Sequence, residues 1–481
     1  MFLGVKIVRS LLTLSFLHAI ISMNKKCSME QKLYARCKMI IQRPQYLNAL
    51  IQRKDNGRVK IITGLRRSGK SYLIFNLYKN YLLENGVTQN QIIELPLDEI
   101  DNIRYRNPFE LNAYIKERAS DASRRYYIFI DEIQFCAEVP NPYLDDSAEK
   151  VTFIDAVLGL MKHNNIDVYI TGSNSKMLSR EVVTQFRDRG DEIHVLPLSF
   201  AEFWSAFSAL PNAAPPSIAD AWREYCTFGG MPYTLSLKSP EEKSRYLKNL
   251  FNETYLKDII ERKDIRNDKD VLEILLDFVS SAIGSLTNPA KLEKRFLSEK
   301  KIKVSHNTIA KYLDYFSEAY ILDAVKRYDV KGAKYFSTPL KYYFADVGLR
   351  NARLNFRQIE ETHLMENIIY NDLIRRGFNV DVGVVSIATR VWDVRGIQKK
   401  NNVRLEVDFV ANKGSRRYYI QAALSVADPE KHAQEIRSLR RIEDSFTKIV
   451  VVKDDIISHQ DKNGILYLGI KDFLLDEHAL N

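Results

Sequence analysis

Eight residues, Gly64-Leu65-Arg66-Arg67-Ser68-Gly69-Lys70-Ser71, hold the densest chemical pattern in the sequence. They match G-x-x-x-x-G-K-S at each fixed position, and each fixed position has a physical task. Glycines let a short loop turn successive backbone N–H groups inward, where they cradle phosphate oxygens. A helix opening at the end of the loop adds the positive end of its dipole. Lys70 then reaches the β- and γ-phosphates of ATP, and the Ser71 hydroxyl ligates Mg²⁺. A chance match in a surface loop would lack the flanks present here, the apolar run Val59 to Thr63 before it and a helical pattern after it.

Tyr126-Tyr127-Ile128-Phe129-Ile130-Asp131-Glu132 is an apolar strand that ends in two carboxylates. Asp131 is expected in the Mg²⁺ shell, and Glu132 where it polarises an attacking water. The plainer alternative is a solvated acidic turn. Another strand, Val168 to Thr171, runs into Gly172-Ser173-Asn174-Ser175. Asn174, with Ser173 as the alternative, is the candidate to position water against the γ-phosphate, and helix capping is the competing use. Arg180, Arg187 and Arg189 come next, and Arg187 and Arg189 are the candidates for an arginine finger, in the same chain or from a neighbouring copy in a homo-oligomer. The expected catalytic residues are therefore Glu132, Asn174, Arg187 and Arg189. ATP is assigned to Gly64 through Ser71 with Asp131, and the metal to Ser71 and Asp131.

These residues need a scaffold with its strand ends on one edge. Apolar strands at Val59–Thr63, Gln91–Leu97, Tyr126–Ile130, Asp167–Thr171 and Glu192–Leu198 alternate with helical stretches such as Ser71–Leu83 and Phe153–His163. That alternation predicts a buried parallel sheet covered by helices, an α/β fold. Beyond Ala213-Ala214-Pro215-Pro216 the strands stop, and Trp222–Ile259 and Val271–Ile283 read as helices interrupted by Gly229-Gly230-Met231-Pro232. A basic region, Lys291–Lys303, precedes a helix carrying Ile309, Tyr312, Leu313, Phe316 and Tyr320, followed by strands at Ile321–Tyr328 and Lys334–Phe336. Helix, helix, hairpin is the order of a winged helix, whose recognition helix would present Lys303, His306, Asn307 and Lys311 to DNA. A third unit starts near Glu361, with strands near Val380–Val384, Val403–Ala411 and Arg417–Ala422, a helix at Pro429–Arg441 and a closing strand at Ile449–Val452.

Together the nucleotide motifs, Ile170-Thr171-Gly172-Ser173-Asn174-Ser175 and Val195-Leu196-Pro197-Leu198-Ser199-Phe200 resemble a prokaryotic AAA-type ATPase. Phe228-Gly229-Gly230-Met231-Pro232, Tyr255-Leu256-Lys257-Asp258-Ile259-Ile260 and Lys341 through Arg350 narrow the resemblance. They are similar to the family with a winged helix and a C-terminal restriction-endonuclease-like domain of unknown function. The expected division is an ATPase domain over 38–210, a helical and winged-helix region over 217–350, and a restriction-endonuclease-like α/β domain over 355–481. The resemblance implies ATP binding. In nuclease cores of this type an acid on a helix, an Asp on a strand and Glu-x-Lys on the next strand hold Mg²⁺ and activate water. Here Glu366 and Asp408 fill the first two places, but Gln421 and Ala423 fill the last, so the domain is expected not to cut. Alternatives are an ATP-liganded module that docks a protein partner through the C-terminal domain, and an ATP-gated nuclease.

Composition sets the outer limits. At 481 residues the chain must divide into several cores, and its formal net charge of +10 favours polyanionic partners, DNA among them. Cys27, Cys37, Cys136 and Cys226 fall at no metal-knuckle or redox-pair spacing, so neither a disulfide scaffold nor a structural zinc is expected. Residues 1–22 look like a signal segment, with Lys6 and Arg9 ahead of Leu11 to Leu17. An extended start upstream of Met23 is the favoured reading, which gives a cytoplasmic protein without a membrane span.

Overall fold

The structure, a computed structural model, describes residues 40–144, 149–172, 186, 189–211, 215–265, 268–357, 360–392 and 398–480. Residues 1–22, Ser173, Asn174, Arg180 and Arg187 lie outside that set. Among the described residues, no helix is long and apolar enough to cross a membrane.

The first half is built on a five-stranded, wholly parallel sheet. After helix α1 (Pro44–Arg53) come β1 (Val59–Thr63), α2 (residues 70–84), β2 (Ile92–Pro96), α3 (Pro108–Arg118) and β3 (Tyr126–Asp131). A two-stranded ribbon, β4 (Val139–Pro140) and β5 (Lys150–Val151), leads to α4 (Phe153–Leu160), β6 (Ile166–Thr171) and β7 (Gly190–His194). The strand order is β2-β3-β6-β1-β7. Successive residues of a strand face opposite sides, and both sides here are covered. Val59, Ile61, Ile128, Ile130, Val168 and Ile170 pack toward α3 and α4, whereas Ile62, Tyr127, Phe129 and Tyr169 pack toward α1 and α2. Strands buried on both faces read as unbroken apolar runs, the pattern that made them visible in the sequence. β7 ends at His194 and not at Leu198. Val195 still donates its N–H to the Thr63 carbonyl (2.9 Å), but the chain then turns away past Pro197.

Helices dominate the middle. They are α5 (Phe200–Ser208), α6 (Ile218–Phe228), α7 (residues 240–262), α8 (Lys269–Ser281), α9 (residues 289–300), α10 (His306–Glu318), α11 (Val347–Arg353) and α12 (Glu361–Arg375). Ser199 caps α5 and its Glu202 reaches back to the Ser199 amide, a reciprocal pair that fixes this helix start. The basic stretch Lys291–Lys303 is for the most part the helix α9. Its charges mask the apolar period set by Leu292 and Phe296.

A nine-stranded mixed sheet spans the second half. β8 (Leu286–Thr287), β9 (Leu322–Asp329) and β10 (Lys334–Phe344) are followed by β11 (Asn379–Trp392), β12 (Gln398–Lys413) and β13 (Arg416–Ala423). After α13 (Pro429–Glu435) come β14 (Thr447–Val452), β15 (His459–Gln460), β16 (Ile465–Gly469) and α14 (Ile470–Leu475), so the chain does not close at Val452 as expected. The order is β15-β16-β14-β13-β12-β11-β9-β10-β8. The hairpin β9–β10 is thus continuous with the C-terminal strands, because Arg327 to Asp329 of β9 pair in parallel with Val382 to Val384 of β11.

Candidate functional site

Thr63 ends β1, and the Gly64–Ser71 loop leaves the sheet at its C-terminal edge. Gly64 adopts φ +127°, and a Cβ there would meet the Val195 carbonyl oxygen at 2.2 Å, so only glycine fits. Gly69, at φ +99°, makes the second turn into α2. As at any helix start, the first amides of α2 have no intrahelical acceptor. Lys70 is buried and donates from Nζ to the carbonyls of Gly64 (3.0 Å) and Leu65 (2.8 Å). Burial lowers its pKa to about 8. The charges of Glu132 and Asp131 oppose that shift, and Arg66 adds to it. The Ser68 hydroxyl is fully buried and has no hydrogen-bond partner among the described residues. A glycine-turned cradle with an orphaned hydroxyl and a lysine folded onto its own loop fits a phosphate chain, which would take over those donors.

β6 lies between β1 and β3, so three strand ends meet beside the loop. Thr171, at the end of β6, donates its hydroxyl to Asp131 Oδ1 at 2.9 Å. Burial raises the Asp131 pKa, and the Ser71 and Thr171 hydroxyls pull it back. Ser71 and Asp131 together offer oxygen ligands of the kind that Mg²⁺ takes. Glu132 follows in the left-handed region (φ 55°, ψ 49°), an uncommon conformation for a residue with a side chain. Its carboxylate accepts from Gln134 Nε2, and its amide donates to Asp131 Oδ1 (3.0 Å). At the end of β7, His194 Nδ1 lies 3.0 Å from Thr63 Oγ1; burial first, then the Lys70 charge, lowers its pKa to about 4, so the ring is neutral.

The expected residues are not all gathered here. Gly64 through Ser71, Asp131 and Glu132 converge, and Asn174 and Arg187 lie outside the described residues. Arg189 is at the wrong edge. It precedes Gly190, which pairs with Val59 at the start of β1, about 16 Å of strand away from the loop. It cannot reach phosphates held by its own chain, so only a finger offered to a neighbouring copy is left for it.

Sequence reasoning missed several neighbours. Arg43 is buried and donates to the Ser68 carbonyl (3.0 Å), the Leu196 carbonyl (2.7 Å) and Glu202 Oε1 (2.8 Å), tying the loop to the chain after β7 and to α5. An arginine before Pro44 gives no spacing signal for that. Thr171 stands two residues before the Ser173 and Asn174 chosen for their polarity. Tyr255 of α7 donates to the Arg66 carbonyl (2.8 Å), and Arg66 approaches Asp258 (3.4 Å). Leu65 itself belongs to the helical region's core, with Phe251, Tyr255 and Leu256.

A second charged cluster sits on the large sheet. Glu366 of α12 and Asp408 of β12 come together, and Gln421 Nε2 donates to Asp408 (2.8 Å). The cation is Lys341 of β10, buried and 2.8 Å from both Glu366 and Glu406. Lys413, which is not part of the cluster, donates to the Arg376 carbonyl (2.6 Å), and Arg417 to Asn412 (2.8 Å). Burial and the Glu366 charge raise the Asp408 pKa to about 8. Among the described residues, no group of three or more His, Cys, Asp or Glu is placed to hold a metal ion.

Comparison with known proteins agrees with the nucleotide loop. A family model for an AAA domain matches residues 56–204, and one for a domain of unknown function matches residues 219–360. An uncharacterized Haemophilus influenzae protein is 31% identical over 438 residues, covering 91% of this chain and 99% of that one. An uncharacterized Methanocaldococcus jannaschii protein is 26% identical over 408 residues, 82% of this chain and 84% of its own. Among solved structures, a Walker-type ATPase of Pyrococcus abyssi aligns at TM-score 0.45 and 12% identity, over 66% of this chain and 97% of its own. The Aeropyrum pernix ORC1 protein, solved in complex with DNA, aligns at TM-score 0.27 and 12% identity, over 65% and 92%. Scores below 0.5 give these two likenesses no functional weight. The chain belongs with the Haemophilus influenzae protein to a prokaryotic family of AAA-type ATPases that carry a C-terminal region of unknown function.

Proposed function

We propose that the chain hydrolyses ATP at the Gly64–Ser71 loop and uses the nucleotide state to move its helical and C-terminal parts on DNA. The observation that carries hydrolysis is the convergence of Lys70, Ser71, Asp131, Thr171 and Glu132 at three neighbouring strand ends. Lys70 and the loop amides orient the triphosphate. Ser71 and Asp131 would hold Mg²⁺, which would supply positive charge against the phosphate oxygens. Glu132 accepts the proton of an attacking water, and the left-handed backbone at this residue fixes where its carboxylate starts. Coupling follows from Leu65. A loop residue built into the core of the helical region cannot shift on nucleotide binding without moving α7, to which Arg66 is also joined.

The DNA part of the reading rests on α9, α10 and the hairpin β9–β10, which we take as a winged helix. Ile309, Tyr312, Leu313 and Phe316 of α10 face the core, leaving Asn307, Lys311 and Asp314 exposed with Lys303 before them. His306 is exposed too, but engages Glu293 (3.1 Å). Phosphate release measured with and without duplex DNA tests the whole reading. The expected result is turnover that DNA accelerates. Turnover indifferent to DNA removes the DNA part, and no turnover with retained ATP binding removes hydrolysis.

A further inference from the structure

Arg327 of β9 is 7% exposed, its Nε has no hydrogen-bond partner, and no carboxylate pairs with it among the described residues. A buried arginine without a counter-ion is costly, and here a second one adds to the cost. The Cζ atoms of Arg327 and of Arg404 in β12 lie 5.1 Å and 5.2 Å from the centre of the same ring, Phe336 of β10. Burial, with the like charge of Arg404, pushes the Arg327 pKa down, and Glu406 opposes this. Glu406 is turned to Lys341, which lies 2.8 Å from its Oε1, and makes no ion pair with Arg327 among the described residues. Asp329, further along β9, is engaged in turn by the Gly332 amide (3.0 Å). Two guanidinium groups therefore share one aromatic ring, with five donors each and no ion pair to either among the described residues.

Alternation along β12 places Arg404, Glu406 and Asp408 on one face, running from exposed to buried, so the arginines stand at the mouth of the cluster around Glu366 and Lys341. Lys334, two residues before Phe336 in β10 and so on the same face, is exposed. A planar fork suits a phosphodiester better than a point charge does. Both guanidinium groups crowd the Phe336 ring, so backbone contact is favoured here over base stacking. We infer that Arg327 and Arg404, set against Phe336, form a binding site for a DNA backbone phosphate at the mouth of the Glu366 cluster. The site rests on the reading that the chain acts on DNA, but it uses a surface other than α10.

The test is fluorescence anisotropy of a labelled DNA duplex with the full chain, without nucleotide, across a KCl series. Each neutralised phosphate contact contributes about 0.9 to the slope of log affinity against log salt. Arg404→Gln and Arg327→Gln should each lower the slope by about that amount and weaken binding several-fold at low salt, whereas Arg404→Lys should keep the slope. Arg404 is exposed, so its variants report even if Arg327→Gln proves unstable, and urea midpoints check folding. ATP turnover without DNA should be unchanged in Arg404→Gln. An unaltered slope in Arg404→Gln, with wild-type binding intact, overturns this site alone; absence of wild-type binding at low salt overturns it together with the DNA reading. Stabilisation by inorganic phosphate that Arg404→Gln abolishes, without a change in DNA slope, would assign the pair to a small phosphate ligand and overturn the DNA assignment.

Discussion

Nucleotide affinity should fall as pH rises through 8, and Lys70 is the reason. In the free chain its ammonium is buried against the loop carbonyls, and desolvation brings the pKa down to about 8. The sign follows from which state holds the proton. Above pH 8 the free loop carries a neutral amine, while a bound triphosphate stabilises the ammonium. Binding there must take up a proton, and affinity drops with each further pH unit. Between pH 7 and pH 9 the protonated fraction falls from about 0.9 to about 0.09, a tenfold loss worth about 1.4 kcal/mol. Titration calorimetry with ATP at both pH values, in buffers of different ionisation enthalpy, measures the affinity and counts the proton. Lys70→Arg, which stays charged throughout, should bind less well at pH 7 yet show a flat profile. Equal affinity at pH 7 and pH 9 in the wild type, with no proton taken up, would refute the reasoning.

Two further outcomes are expected. Glu132→Gln should bind ATP and release phosphate at least about a hundredfold more slowly; normal release would remove Glu132 from the mechanism. Lys341→Met strips the buried cation from Glu366 and Glu406 and should cost about 3–5 kcal/mol in urea denaturation of the full chain, with Lys341→Met/Glu366→Gln recovering much of it, and a single-variant cost below about 1 kcal/mol would show that the cluster is more hydrated than its burial implies.

The nucleotide loop was legible in the sequence because its chemistry is local: Gly64 and Gly69 act through backbone and Lys70 and Ser71 through side chains, all within eight consecutive residues. The strands around it were legible because burial on both faces removes polar interruptions. What escaped depends on contacts between distant segments. Lys341 meets Glu366 and Glu406 only because β10 and β12 share a sheet with α12 packed on it, and no spacing announces that. Arg43 reaches Ser68, Leu196 and Glu202 from three directions of the fold. The strand Asn379–Trp392 was expected to stop at Val384, since Ser386, Thr389 and Arg390 break its apolar run. It continues because β12 pairs with it out to Gln398, and a ladder can extend past the point where burial ends. Arg189 as a finger within its own chain failed for the opposite reason. Its place in the sequence between two strands was read correctly, but sequence order alone does not say at which edge of a sheet a residue sits.

The parallel pairing of β9 with β11 has a mechanical consequence. Two bodies joined by a flexible linker can rotate independently, and one can be held still while the other turns. Here the hairpin and the strands bearing Asp408 and Gln421 share one hydrogen-bonded plate, and separating them would break the three-residue register of Arg327–Asp329 with Val382–Val384. Any displacement of the hairpin would therefore be passed to those strands through the ladder and not absorbed between them. Two hydrogen bonds join this plate's neighbours to the chain after β7 and to the loop after α6, from Arg375 of α12 to the Pro197 carbonyl (2.9 Å) and from the Gly230 amide to Asp346 at the start of α11 (2.6 Å).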